Sequence, residues 1–493
     1  MKRNVRWVYL LFIIVMVAYT LMHIGLWSDE PPGVDSVNLT LALDKYDISA
    51  DKPHAPGYPL YVGLAKVAAY IVGDAYAYQL INLLMILAAS ACLFLLAKHQ
   101  GHAEVGLAAT VLLITHPLTF SSTIVQESYF SDALFGCLIV TWLFIKSKNF
   151  KTQVIGLSLI FFALGLFRIV SCAQLGLLAI ACVYFTNRTS PITKVAITIL
   201  SIVSCALIAY LITIWLAGGY AAHSEATSRV MGTAFAAKSM LAGAPIETHA
   251  YMLLKLISWL IFASLPTVLL TAYLLLKNKG KSLIPRAQLI LFTCWVLPSL
   301  GLFSLIYFHK PVYLMILLPP ILLAFSTLTF SIFKNKHGAH AWYLIILIAS
   351  AQLLFFFTAT DFLPNPLYRV SRTYFQKQDA TLKELKQIIQ KENSVGTLLI
   401  WEKNPSFKIY TTRMYAWKGV IARIDSKDRV GIPHPKNGIL SITTFNQKNM
   451  SFGYGVNLKK INKVLIIDSN HHQPKYQVYN TQQFLNTVLA APN

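Results

Sequence analysis

An all-α polytopic membrane domain of about eleven helices, followed by a C-terminal soluble α/β domain, is the architecture this sequence predicts. Hydrophobic residues make up 56% of the 493 positions and charged residues only 13%, outside the range of soluble chains. Apolar runs long enough to cross a hydrocarbon core of about 30 Å recur from residue 7 to residue 360. Residues 361–493 then change to a mixed pattern of amphipathic helix and short strands. The formal net charge of +22 does not indicate nucleic acid, because Lys and Arg are scattered among apolar runs and form no basic face. All six cysteines lie within apolar runs as small packing residues and imply no disulfide framework.

The first run, 7–27, follows Lys2, Arg3 and Arg6. It is longer than a signal-peptide core and no small-x-small cleavage site follows it, so an uncleaved span is expected. Further spans are expected at 77–97, 104–121, 129–146, 152–167, 170–186, 194–216, 252–276, 287–307, 312–333 and 341–360. With a cytoplasmic N-terminus, Lys98, Lys146, Lys148, Lys151, Arg188, Lys194, Lys277, Lys279, Lys281, Arg286, Lys334 and Lys336 all fall on inner loops, as the positive-inside rule requires. Counting 58–73 as a span would reverse that assignment, so it is read as a helix in the outer interface begun by Pro59, with a second such helix over 36–47.

The same topology puts nearly every acid of the membrane portion outside, from Asp29 and Glu30 through Asp35, Asp44, Asp47 and Asp51 to Glu127 and Asp132. The outer segment 217–250 is rich in Gly, Ala and Ser and reads as a mobile flap. After residue 360, Leu382, Leu385, Ile388 and Ile389 at helical spacing predict a helix over 379–392. TLLIW, GVIARI, GILSITTF and KVLIID predict strands, which together make an extracytoplasmic α/β domain over 361–493. His471 and His472 have no ligand cluster beside them and do not predict zinc.

Several motifs occur in order along the membrane portion: Asp35 in GVDS soon after the first span, HAPGYPLY over 54–61, QESYFSDALF over 126–135, GLFR over 165–168 and FHKPVYLMILLPP over 308–320. Together they resemble the GT-C superfamily of membrane glycosyltransferases, including the protein O-mannosyltransferases and the lipid A aminoarabinose transferases. That resemblance implies a GT-C-like transmembrane catalytic domain over 1–360, with an outer loop, 28–76, carrying interfacial helices. It also implies an inverting transfer of sugar from a polyprenyl-phosphate carrier to an acceptor glycan, lipid or protein on the extracytoplasmic face, in a bacterial inner membrane.

Inverting transfer needs a base for the acceptor's proton and a means of stabilising the departing phosphate. Within the resemblance, Asp35 is the candidate base, with Glu127 as the second catalytic carboxylate. Arg168, Lys310 and His309 are the candidate phosphate ligands: an arginine between GLF and IVS is a functional candidate by its depth, set against simple snorkelling to headgroups. His54, Tyr58, Asp132 and Tyr313 are candidates for positioning the acceptor or the loop. Glu127 and Asp132 can also hold a divalent cation or cap a helix; no other cofactor is implied. A polytopic transporter or lipid flippase is the alternative, discriminated by midplane charges and paired broken helices; a scaffold binding anionic polymer would leave the acidic loop unexplained.

Overall fold

The computed structural model describes residues 6–146, 149–187, 190–232, 239–277, 286–306, 308, 310–333, 339–360, 369–392, 397–402, 420–424, 439–444, 452–457, 461–468 and 475–484. The chain packs as two compact units. The first comprises Met1–Trp27 and His54–Arg372; the second comprises Ser28–Pro53 and Thr373–Asn493. The outer loop expected to accompany the membrane helices is therefore divided, its first part belonging with the C-terminal residues.

The first unit is a helix assembly. In chain order it contains α1 (Arg6–Ile24), α3 (Pro59–Val72), α4 (Ala77–His99), α5 (Ala103–Thr115), α6 (Pro117–Ile124), α7 (Phe130–Thr141), α8 (Phe150–Thr186), α9 (Pro191–Leu216), α10 (Tyr220–Val230), α11 (Ile246–Lys277), α12 (Arg286–Leu305), α13 (Leu318–Ile332) and α14 (Ala339–Thr358), while α2 (Val34–Asp44) belongs to the second unit. Among the described residues seven helices are long and apolar enough to cross a membrane, or eight if α5 and α6, bent by 55°, form one span. The expected eleven are not reached by this measure because the runs at 129–146 and 312–333 form shorter helices, and because 152–167 and 170–186 lie within the single element α8. Rows of exposed apolar side chains, such as Leu200, Val203, Leu207 and Leu211 on α9, suit hydrocarbon and not water, as expected of a multi-pass membrane protein.

α8 is not straight. The Asn187 side-chain amide donates to Gln153 Oε1 at 2.6 Å across 34 positions, whereas an unbroken helix would separate those residues by about 50 Å. The reversal falls at Arg168, the one non-helical residue inside the element (φ −166°, ψ 94°). The two predicted spans on either side of GLFR are thus the arms of a hairpin. Asn187, which opens a sequon, is buried in this contact.

The short helix α3 starts at Pro59, whose missing N–H costs nothing in a first turn. Its inner face buries Tyr61, Val62, Ala65 and Ala68, while Val67, Tyr70 and Ile71 stand exposed at 61%, 92% and 75%. The segment 217–250, expected as a flap, contains the helix α10, with His223 buried against the Tyr210 ring. Lys148, Arg188, Lys279, Lys281, Lys334 and Lys336 lie outside the described residues, as do His471 and His472.

In the second unit, α15 (Arg372–Glu392) buries Leu382, Leu385, Ile388 and Ile389, the stripe given by the sequence pattern. Strands β1 (Thr397–Glu402), β2 (Val420–Ile424), β3 (Ile439–Thr444), β4 (Phe452–Asn457), β5 (Lys463–Asp468) and β6 (Lys475–Asn480) form one sheet of order β4-β3-β2-β1-β5-β6. The central pairs β1–β2 and β1–β5 are parallel; the flanking pairs are antiparallel. β4 and β6 have no counterpart in the sequence expectation: FGYGVN is interrupted by glycines, and KYQVYN is polar and edge-like.

The acids of loop 28–53 are structural in this unit. Lys383 Nζ meets Asp29 at 2.8 Å and Asp379 at 3.0 Å, and Lys386 Nζ meets the buried Glu30 at 2.8 Å. Ser28 Oγ donates to Asp379 at 2.6 Å, and the Gln378 amide donates to the Pro32 carbonyl at 2.6 Å. Hydrogen bonding to Asp29, then to Asp379, raises the Lys383 pKa, so the contribution of this ammonium persists to strongly alkaline pH and is lost only when the lysine gives up its proton. Asp47 closes the short turn Ile48–Ala50 by accepting from Ser49 Oγ at 2.6 Å and Ala50 N–H at 3.3 Å, which holds its carboxyl below the ordinary range.

α4 and α5 approach each other backbone to backbone: a Cβ on Gly106 would lie 2.9 Å from the Cα and carbonyl oxygen of Phe94. Backbone cannot swing aside, so Gly106→Ala should destabilise the detergent-solubilised protein by about 1–3 kcal/mol and lower its thermal midpoint. Gly176→Ala, with nothing within 4 Å, should leave that midpoint unchanged or raise it. In the second unit, Lys386→Glu should speed tryptic cleavage after Lys45, and Glu30→Lys combined with Lys386→Glu should restore resistance, as read by timed digestion of the whole chain.

Candidate functional site

The site is built where α6, α7, the α8 hairpin turn and the segment before α13 meet. α6 is buried along its whole length and begins at Pro117, capped by His116, whose Nδ1 accepts from the Leu118 N–H at 3.2 Å. Between α6 and α7 the backbone leaves the helix, which inside a membrane protein demands other partners for its polar groups. Buried amides of α4 supply them: Gln79 donates to the Ile124 carbonyl at 3.2 Å and Asn82 to the Val125 carbonyl at 3.0 Å. Asn82 in turn accepts from the Tyr61 hydroxyl at 2.9 Å, and Gln126 donates to the Ala75 carbonyl at 3.0 Å. Glu127 is therefore presented from a fixed backbone.

Two buried ion pairs follow. Asp132, in the first turn of α7, takes Arg168 on Oδ2 and the Ser171 hydroxyl on Oδ1. Glu127 Oε1 takes Lys310 Nζ at 2.5 Å. Tyr129 covers the first: the Arg168 guanidinium lies 4.1 Å from its ring centroid, a cation–π contact. Tyr313 completes the group, 4.9 Å from Tyr129 and 5.8 Å from the guanidinium. With its side chain only 14% exposed and turned onto Asp132, Arg168 does not snorkel.

The HAPGYP turn lies on the other side of Arg168. Gly57 adopts φ +114°, a conformation side chains disfavour, and lets Tyr58 enter the first position before α3. The Tyr58 hydroxyl and His54 Nε2 share a hydrogen bond of 3.0 Å. Tyr58 and Arg168 line one cleft with Pro56, Phe167, Tyr210 and Thr213. Gly165 forms part of its wall where the α8 hairpin meets Ala209, which a Cβ at that glycine would approach to 2.7 Å.

Of the residues expected from sequence, the structure thus assembles Glu127, Asp132, Arg168, Lys310 and Tyr313, with Tyr58 and His54 adjoining through the cleft. His309 lies outside the described residues. Asp35 is half-buried in the first turn of α2, in the second unit. Glu127 and Asp132 each hold a cationic side chain, and among the described residues no His, Cys, Asp and Glu group of three or more is arranged to bind a metal. Sequence reasoning passed over Tyr129 and Ser171. Each had a signal: Tyr129 lies between the two carboxylates, and Ser171 stands one helical turn beyond Arg168.

Compared as a whole, the structure is similar to ArnT from Cupriavidus metallidurans in the apo state, with a TM-score of 0.57 at 11% identity over 93% of each chain. It is equally similar to ArnT bound to undecaprenyl phosphate, with a TM-score of 0.57 at 11% identity over 99% of this chain and 96% of that one. An oligosaccharyltransferase from Archaeoglobus fulgidus gives a TM-score of 0.47 at 11% identity over 92% of this chain and 68% of its own; a likeness that weak supports no argument. No protein-family model and no curated sequence matches the chain. At these identities the likeness speaks to the fold alone, which this chain shares with ArnT.

The Arg168–Asp132 pair should hold the hairpin turn to α7. Asp132→Asn leaves a buried guanidinium without its counter-charge and should destabilise the solubilised protein by about 3–5 kcal/mol. Asp132→Leu with Arg168→Met removes both charges, and its thermal midpoint should lie nearer the parent than that of either single variant.

Proposed function

We propose that the protein is a membrane glycosyltransferase that moves a sugar from a polyprenyl-phosphate carrier to an acceptor glycan, lipid or protein on the extracytoplasmic face, inverting the anomeric centre. The observation that carries this reading is a buried cluster of two cations, two carboxylates and tyrosine rings beside a cleft, in a fold shared with a protein that binds undecaprenyl phosphate. Arg168 and Lys310 are assigned to the donor phosphate, since developing negative charge on a leaving phosphate is stabilised by fixed cations in a poorly solvated site. His54, Tyr58, Asp132 and Tyr313 are assigned to positioning the acceptor or the loop. The N-terminus is cytoplasmic, the eleven apolar segments cross the membrane, and residues 361–493 lie outside in this reading.

Asp35 is assigned as the base that takes the acceptor's proton, Glu127 being the other carboxylate of the reaction. The C–O bond to the acceptor forms as the bond from the anomeric carbon to phosphate breaks, and the electron pair leaves with the phosphate. A transporter would be favoured by paired broken helices; the described residues contain a single bent pair.

Asp35→Asn keeps shape but removes proton affinity, so transfer from polyprenyl-phosphate-linked sugar in membranes should fall by roughly 10²-fold at equal protein level. Asp44→Asn should retain most activity. Near-parental transfer by Asp35→Asn would remove the base assignment, and tolerance of neutralisation at Asp35, Glu127 and Asp132 alike would remove the glycosyltransferase reading.

A further inference from the structure

The two ion pairs of the site differ in how firmly they are held. Asp132 uses both carboxylate oxygens, one on Arg168 and one on Ser171, and both partners belong to α8. The guanidinium is further covered by Tyr129. Breaking this pair means separating α7 from the hairpin turn. The Glu127–Lys310 pair joins two connecting segments instead. Lys310 is extended (φ −120°, ψ 140°) immediately before the turn Pro311–Ile316, and its side chain is 28% exposed where that of Glu127 is 6% exposed. An ammonium is a point charge on a rotatable stem, able to exchange one anionic oxygen for another without moving a helix.

A carboxylate placed on a half-open cation in the resting protein occupies the position a ligand anion would need. It also spares the lysine an uncompensated charge in a site that excludes most water. We infer that Glu127 is a carboxylate latch: it holds Lys310 until the phosphate of the lipid-linked donor displaces it, while Arg168 keeps its own counter-ion. This rests on the donor reading above and adds to it a competition for one ammonium. The exchange makes and breaks no covalent bond. The ammonium passes from a carboxylate oxygen to a phosphate oxygen, and the released carboxylate is left with less positive charge beside it.

A phosphate ligand and an internal competitor give opposite signs to two neighbouring substitutions. With undecaprenyl phosphate as the probe and the purified full-length chain in detergent, Glu127→Gln should bind about tenfold more tightly, the scale of one partly buried charge contact. Lys310→Met should bind at least tenfold more weakly, and adding Glu127→Gln to Lys310→Met should restore nothing, because the latch acts only through the lysine. Undecaprenol, which lacks the phosphate, should show no response to Glu127→Gln, and inorganic phosphate should compete in the parent far less well than the lipid. Equal or weaker undecaprenyl phosphate binding by a folded, monodisperse Glu127→Gln overturns the latch while leaving the donor reading intact. A gain that persists in the Lys310→Met background, or that appears with undecaprenol, overturns it as well. Failure of the parent chain to bind undecaprenyl phosphate overturns the donor reading, and the latch with it.

Discussion

A guanidinium buried in the helical unit of a membrane protein must have a counter-charge, and the Arg168–Asp132 pair is the interaction on which the architecture of the site depends. Arg168 interrupts an apolar sequence at the point where α8 reverses, and Asp132 stands in the first turn of α7. Their attraction, supported by Ser171 and covered by Tyr129, ties the hairpin turn to the helix that follows Glu127. Low dielectric makes such a pair strong once formed and expensive to leave half-made. That asymmetry favours one arrangement of the turn over the others a flexible apolar hairpin could adopt.

A second constraint comes from the backbone. The chain leaves helical geometry between α6 and α7, and a polar backbone in that position needs hydrogen-bond partners from within the protein. Gln79 and Asn82 satisfy the carbonyls of Ile124 and Val125, with Tyr61 completing the network. These amides are buried in α4, a helix otherwise rich in apolar side chains. Their role is to fix the segment from which Glu127 projects. The firmness of one ion pair and the looser attachment of the other then give a site with a rigid half and an exchangeable half.

The acidic loop after the first helix has a different physical basis from the one its composition suggests. Asp29 and Glu30 are joined to lysines of α15, and Asp47 closes a turn. These acids organise the segment that carries Asp35, so that the crowding of carboxylates in one short stretch reflects local structure as well as chemistry. The fold comparison speaks to architecture alone; it is the chemistry of the side chains, paired cations against carboxylates, that gives the functional reading its content.

Patterns that depend on neighbours along the chain were legible in the sequence. Apolar length and the positions of Lys and Arg marked a multi-pass protein; the lone arginine in GLFR marked the reversal between two apolar arms; the spacing of Leu382, Leu385, Ile388 and Ile389 gave the buried face of α15. The candidate site was legible as a set of residue types but not as a set of pairs. Glu127 and Asp132 were legible as carboxylates able to hold a divalent cation or cap a helix, and Arg168 and Lys310 as cations for a donor phosphate. The structure assigns Asp132 to Arg168 across 36 positions and Glu127 to Lys310 across 183, and joins Glu30 to Lys386 across 356. The sequence by itself determined the membrane class, the hairpin and the residues able to do the chemistry, because hydrophobicity and helical period act locally. Only the tertiary structure decided which opposite charges meet, because that depends on the packing of helices whose separation in space is not encoded in their separation along the chain.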